Sequence, residues 1–508
     1  MKRNNIIKSI LFASTIVLGV SCTNLEEEVL DGVVVGNSAG GTVNSASLLT
    51  KAYEGLREFQ GQGQMFALDE MSTDALVGPT RGGDWDDNAT WRQIHTHTWA
   101  PDHNEVRGAW NSLLSNVYNC NLVVENGTAS EVVQARFLRA FYYYNVVDLF
   151  GQAPYREAGS SLESDPKVWT RQEATAYVIS ELEAIVGTLP DRVASDASIA
   201  NKDAARFLLA KLYLNKGVFN AANPAGPYVF DAADMTKVVS YVNAISSSLT
   251  TDYWDNFKPD NNLSPEILFS SKNLRGGQGG NIQSRWRMGM HYNQTPDGWN
   301  GFATVAEYYN KFNPNDRRIK NADPAIIASF GNNVGFQVGQ MYKPGGTTAL
   351  KDRNGNPLFF TPALTLITSG ATLETAGIRS QKYIPDADNL GTPENDYEFM
   401  RYSDALLMKA EAILRGGTGT MATDAVNTAK MITRTNVTGT FPTTLDAVYA
   451  ERGKELWYEG WRRNDMIRFG KFLAARELKP YVSDNRYALF PIPADALFNA
   501  NLKQNPGY

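Results

Sequence analysis

A chain of 508 residues with a formal net charge of −6 is long enough for about two to four domains, or for one helical-repeat body, and for a large buried core. The mild acidity and the absence of a polybasic run give no reason to expect nucleic acid or an anionic membrane surface as partner. The composition is otherwise ordinary except for its aromatics, 10 Trp and 23 Tyr, and these rings recur in the loops that draw functional attention below.

Lys2, Arg3 and Lys8 precede a short apolar core from Ile10 to Val20, which reads as a secretory signal rather than a membrane span. The run Leu18-Gly19-Val20-Ser21-Cys22 resembles a bacterial lipobox with its large residue displaced by one. Residues 1–21 are therefore expected to be removed and Cys22 to be lipidated, heading a tether over 22–46. The acidic TNLEEEVL that follows resembles the signal that sends such lipoproteins to the outer leaflet of the outer membrane. With Cys22 acylated, Cys120 has no disulfide partner and reads as a small buried hydrophobe. The exported fold must then stand on its core alone.

The first half of the chain reads as paired helices. Periodicity predicts them over 47–59, 106–125, 132–150, 170–186, 202–216 and 234–247, with Thr170 and Glu173 as a capping box and Gly151 and Gly217 as stops. A Gly-, Asp- and Trp-rich insert, 60–105, separates the first two. From 249 to 396 helical periodicity fades into Gly, Asn, Pro and aromatics, with strand-like pieces at 266–270 and 335–339. So long an irregular stretch inside a compact body is usually functional. Helical style returns at 402–414. The segment ERGKELWYEGWRRNDMIRFG, 451–470, reads as one amphipathic helix carrying Glu451, Glu455 and Glu459 along a stripe, with Arg463 at i+4 from Glu459. Spaced carboxylates suggest acid–base work; the arginines around them favour a structural ion-pair lattice.

Two loops carry the candidate ligand chemistry. In DWDDNATW (84–91), Trp85 offers a flat ring to a sugar, with Asp86 and Asn88 to take its hydroxyls. An EF-hand is rejected there because Ala89 stands where glycine is needed and His95 where the bidentate glutamate belongs. In WRMGMHYNQTPDGWNGF (286–302), Tyr292, Asn293 and Trp299 crowd aromatic and amide groups into a broken loop, while Trp286 reads equally well as a core anchor. Arg81 and Lys382 are further hydrogen-bond candidates. His95, His97 and His103 lack the Cys or well-placed acid that would complete a zinc site. No phosphate loop, nucleophile elbow or HExxH is present, and GGQGG (276–280) is a loop. No cofactor or metal is expected.

The segment 451–470 resembles the C-terminal signature of the SusD/RagB family of outer-membrane nutrient-binding lipoproteins. FPIPADALFNANLKQNPGY (490–508), RFLRAFYYYNVVDLFGQAPY (136–155) and YEFMRYSDALLMKAEAILRGG (397–417) resemble the same family, so the likeness runs from about residue 48 to the C-terminus. It implies a mostly α, SusD-like fold: a right-handed scaffold of about four degenerate tetratricopeptide-type helix pairs. These would occupy about 47–248 and 397–474 of a single body, 47–508, with the loop-rich ligand-binding insert at about 249–396. It also implies a surface-exposed lipoprotein, not an enzyme, that captures an oligosaccharide and passes it to a SusC-like TonB-dependent transporter. Alternatives are a peptide-capturing RagB-type protein, a glycan-cleaving enzyme using the 84–88 carboxylates, and a structural subunit that seals the transporter.

Overall fold

The computed structural model describes residues 44–508 apart from positions 162, 164 and 278. The signal segment, Cys22 and the tether as far as residue 43 lie outside the described residues.

Helix α1 (Ser45–Glu54) continues as a 3-10 turn over Gly55–Gln60. After the first insert, with the short α2 (Thr90–Thr96), come α3 (Asn104–Asn126) and α4 (Ala129–Phe150), which pack on each other. Helix α4 begins three residues earlier than periodicity alone indicates, because Thr128 and Glu131 form a reciprocal capping box. Phe137, Leu138, Phe141, Tyr142 and Val146 are all buried, although they do not share one stripe. A helix apolar on all sides belongs inside a body, and α4 is covered by α1, α3, α5 (Arg171–Ile185) and α6 (Lys202–Phe219). Thr170 caps α5 with Glu173, as the sequence indicates.

Gly217 does not stop α6, which runs on to Phe219. Its role is close approach: a Cβ there would strike the carbonyl of Val229. Helix α7 (Ala232–Asn243) packs on α6, and α8 (Tyr402–Leu414), far away in sequence, closes against both. Cys120 is fully buried, and burial pushes its thiol up to about 12.

Hairpin β1 (Gln152–Tyr155) and β2 (Lys167–Thr170) links α4 to α5. The loop-rich region opens on β3 (Ile267–Ser271). A small sheet of β4 (Lys320–Asn321), β5 (Val334–Gln337) and β6 (Arg379–Gln381) lies within it, and it closes on β7 (Tyr397–Arg401), which pairs antiparallel with β3. About 125 residues of irregular chain are thus pinned at both ends by one ladder, a closure whose entropy cost grows only slowly with length.

The segment 451–470 is not one helix. Helix α10 (Leu445–Glu455) ends before a turn, and α11 (Arg462–Arg468) starts after it; α9 (Ala425–Thr433) precedes both. Tyr458 and Gly460 adopt φ of +62° and +77°, outside the helical region. Gly453 lets α11 come close, since a Cβ there would lie 2.7 Å from Arg462 Nη1. The turn separates the carboxylates that a continuous helix would stack. Glu459 binds Arg401 and Lys382 rather than Arg463, which pairs with Asp148.

These groups form a lattice inside the protein. Arg401, fully buried, donates to Glu459 (2.7 and 2.8 Å), Glu266 (2.6 Å) and Glu455 (3.0 Å). Arg434 bridges Glu266 and Glu455, and Arg318 joins Glu455 to Glu451 and Asp316. A second knot links Arg452, Asp404, Asp465, Arg468, Glu411 and Lys211.

Removing one partner from such a network strands a buried charge. Arg401→Met is expected to lower stability by about 3–5 kcal/mol in denaturant unfolding; a loss under 1 kcal/mol would contradict the assignment. Burial alone would raise the carboxyls of Asp465 and Glu266, but Arg452 and Arg468 on one, and Arg434 and Arg401 on the other, outweigh it and hold both at about 2. Their ordinary values are 3.8 and 4.5. The stability they contribute is therefore present above about pH 4.5 and lost as pH falls towards 2. The melting temperature is expected to drop steadily across that window; a flat profile there would count against the lattice.

Candidate functional site

Three loops meet around the first insert. Val77 and Ala303 exchange backbone hydrogen bonds of 2.9 Å, and the Gly82 amide donates to Ala371 O at 2.5 Å. Arg81 rivets them together. Its Nε and Nη2 donate to Gly301 O at 3.2 and 3.0 Å, and its Nη1 donates to Ala376 O at 2.8 Å and to Leu373 O. The residue is buried, and desolvation lowers its guanidinium to about 9. Arg81 is thus no ligand donor but the fastening of the site. Lys382 is likewise corrected. It is buried against Glu459 Oε1, Trp457 O and Tyr253 Oη, with its ammonium lowered by burial to about 8.

The loop after Arg81 is conformationally unusual. Trp85, Asp87, Asn88 and Ala89 all have positive φ, 61°, 39°, 52° and 65°, a region costly for residues with a Cβ. The half-buried Trp85 indole donates to Trp299 O at 2.8 Å, and its ring lies edge-on to Phe302 (4.9 Å) and tilted on Trp91 (5.8 Å). Gly301 passes directly beneath, where a Cβ would lie 2.5 Å from Trp85 Cζ2. Asp86 is held by Arg92 at 2.7 Å, and that hydrogen bond, with one from Ser369, lowers its carboxyl. Asn88 is exposed.

The second loop supplies Tyr292, whose hydroxyl donates to Asp84 Oδ2 at 2.9 Å. Desolvation and then this acceptor push the phenol up to about 12. Asn293, exposed, donates from Nδ2 to Lys351 O at 2.8 Å, and Trp299 is half-buried beside Trp85. Trp286 is fully buried and belongs to the core. The third loop, which sequence reasoning did not single out, brings Arg353 and Glu374. Arg353 lies 4.8 Å from the Tyr292 ring centroid and pairs with Asp84 (3.3 Å) and Glu374 (3.4 Å). Glu374 also accepts from His291 Nε2 at 2.8 Å, and burial lowers the His291 imidazole. The one sequence cue for Arg353 is the turn KDRNGNP (351–357), which reads as a loop and nothing more, and Glu374 has none.

Trp85, Asp86, Asn88, Tyr292, Asn293 and Trp299 therefore lie on joined loops, although 200 residues of chain separate the two groups. The arrangement offers half-exposed aromatic rings with carboxylates, amides and a guanidinium around them. This chemistry suits stacking and hydrogen bonding to a polyhydroxylated ligand. His95 and His97 lie elsewhere, buried and bonded to Leu76 O and Ser72 O, with both imidazoles lowered by desolvation, His95 to about 4. Among the described residues no group of three or more His, Cys, Asp or Glu is placed to hold a metal. Cavities of about 610 and 800 Å³ also open away from the joined loops. The first lies between α5 and α7, and the second is lined by Asp252 and Arg317, which pair with each other.

Residues 244–508 match the family model described as the SusD family, and residues 34–214 match one described as starch-binding and associating with the outer membrane. The chain belongs to the SusD family. It is 26% identical over 498 residues to the starch-binding protein SusD of Bacteroides thetaiotaomicron, covering 87% of this chain and 85% of that one. Among solved structures it resembles a laminarin binding SusD-like protein, with a TM-score of 0.68 at 19% identity over 91% of this chain and 99% of the other. It also resembles a surface glycan-binding protein A from Bacteroides thetaiotaomicron in complex with laminarihexaose. There the TM-score is 0.64 at 20% identity, over 91% and 98% of the two chains. The mostly helical, SusD-like fold is shared across these proteins.

Because Trp85 sits against Gly301, adding a methyl group there forces the indole to move. Gly301→Ala is expected to cost about 1–3 kcal/mol of stability by overpacking and to change the intrinsic tryptophan fluorescence. An unchanged melt and spectrum would show that the ring is not wedged as described.

Proposed function

We propose that this SusD-family protein is a glycan-binding protein of the cell surface, held at the outer membrane through an acylated Cys22. It would deliver an oligosaccharide to a SusC-like TonB-dependent transporter. The observation that carries the reading is the convergence of Trp85, Trp299 and Tyr292 on one set of joined loops bordered by Asp86, Asn88 and Asn293. The rings give a sugar its stacking surfaces, and the polar groups, with Asp84 and Arg353, take its hydroxyls. Relatives named for starch or laminarin binding, and one solved in complex with laminarihexaose, support the ligand class.

The role is equilibrium capture and release without bond cleavage. The carboxylates nearest the rings are engaged by Arg92 and Arg353, an arrangement that orders hydrogen-bond acceptors. Release to a transporter requires modest affinity, roughly −7 to −8 kcal/mol, which is a micromolar Kd.

Isothermal titration against maltohexaose, laminarihexaose and other neutral oligosaccharides is expected to find at least one micromolar ligand and no reducing-end release on prolonged incubation. Trp85→Ala and Tyr292→Ala should each weaken that ligand about tenfold or more, equivalent to about 1.4 kcal/mol. Full affinity in both variants would refute the stacking assignment. Binding of peptide mixtures with none of glycans would move the protein to a RagB-type role, and liberated sugar would make it an enzyme.

A further inference from the structure

The hairpin between α4 and α5 carries an aromatic group that the joined loops do not use. Its register pairs Ala153 with Trp169 and Tyr155 with Lys167, so alternation places all four side chains on one side. Tyr155 and Trp169 stack there with centroids 3.8 Å apart and 19° between their planes. Tyr177 of α5 completes the group, 4.4 Å from Trp169 and 5.4 Å from Tyr155. All three rings are half-buried.

The support beneath them is rigid. Tyr143 donates its hydroxyl to Pro154 O at 3.0 Å, tying the hairpin to α4. Arg136 and Arg139 of α4 converge on Glu181 of α5 at 2.8 and 2.6 Å, and Arg139 also donates to Asn121 Oδ1 at 2.7 Å. The Arg139 guanidinium lies 5.8 Å from the Tyr177 centroid. Among the described residues, the hydroxyls of Tyr155 and Tyr177 and the indole N–H of Trp169 have no hydrogen-bond partner, and they are not sealed in the interior. A cluster serving only the core would have its polar ends satisfied or its rings covered. Here the rings are ordered from below while their polar ends stay open to the outside.

We propose that the Tyr155–Trp169–Tyr177 platform is a second saccharide-binding site, separate from the Trp85–Tyr292 loops, that takes pyranose rings. The proposal rests on the reading of this protein as a glycan binder. The aromatic surface takes the C–H face of a sugar ring, and the open phenols and indole exchange hydrogen bonds with its hydroxyls. A polymer presents many copies of the same ring, so a weak second site raises retention of long chains more than of short ones.

The full chain is tested with soluble starch and laminarin by affinity gel electrophoresis, and with maltohexaose and laminarihexaose by isothermal titration. Trp169→Ala is expected to reduce retention by the polymer about fivefold to tenfold while leaving the hexasaccharide Kd unchanged. Trp169→Phe, which keeps a ring, should restore most of the retention. In a Trp85→Ala/Tyr292→Ala background, residual polymer retention should survive and vanish on adding Trp169→Ala. Polymer retention unaffected by Trp169→Ala in both backgrounds overturns the second site alone. Wild type that binds no saccharide overturns it together with the proposed function. Loss of a co-purifying transporter with polymer retention intact also overturns it and assigns the platform to protein docking.

Discussion

The buried arrangement of Arg401, Arg434, Glu266, Glu455 and Glu459 is the constraint on which the rest of this molecule depends. The members come from four separate parts of the chain. Glu266 immediately precedes β3, Arg401 ends β7, Arg434 follows α9, and Glu455 and Glu459 stand at the end of α10 and in the turn after it. The ions therefore lock the mouth of the loop-rich region to the C-terminal helices at the place where the β3–β7 ladder closes it. Two desolvated charges are expensive, and only saturated geometry makes them tolerable. Arg401 alone reaches three carboxylates. The benefit of such a lattice is definition: a slipped strand or a shifted turn would leave a charge unpaired.

The same device appears at smaller scale where the three joined loops meet. Arg81 supports the first loop by donating to carbonyls of the other two, so a cation that would naively face a ligand instead fixes the positions of Trp85 and its neighbours. Residues with positive φ around Trp85 are maintained because the backbone on either side is fastened. The helical scaffold contributes stiffness through α4, buried on all sides, and the loops contribute chemistry. Ring faces can stay partly exposed because their edges are anchored by hydrogen bonds such as Trp85 Nε1 to Trp299 O.

Helix positions were largely legible in the sequence, since apolar residues at i, i+3, i+4 and i+7 and caps such as Thr170 with Glu173 act locally. Helix ends governed by contacts were not. Gly217 reads as a stop and is a contact glycine, whereas Gly460, which reads as an interruption a helix could tolerate, marks a real turn at Tyr458. The aromatic residues of the candidate site are visible in their loops from the sequence, because residue type needs no partner to be read. Arg81 and Lys382 read as hydrogen-bond candidates because a charged residue in a polar loop looks exposed until its partners from distant segments are known. Arg353 shows only as a charged residue in the turn 351–357, and Glu374, 21 residues on, carries no local mark at all.

By itself the sequence determined the mostly helical class, the family signatures in 136–155, 397–417, 451–470 and 490–508, and the residue types available to a ligand. These depend on short-range periodicity and on local patterns that persist without knowledge of the fold. Only the tertiary structure decided that loops 80–92, 286–302 and 351–376 meet, that the carboxylate ladder lies inside the protein, and which cations are already spent on carbonyls and carboxylates. The reason is physical. Burial and charge pairing are properties of residues brought together across hundreds of positions, and no local pattern encodes which partner each charge will meet.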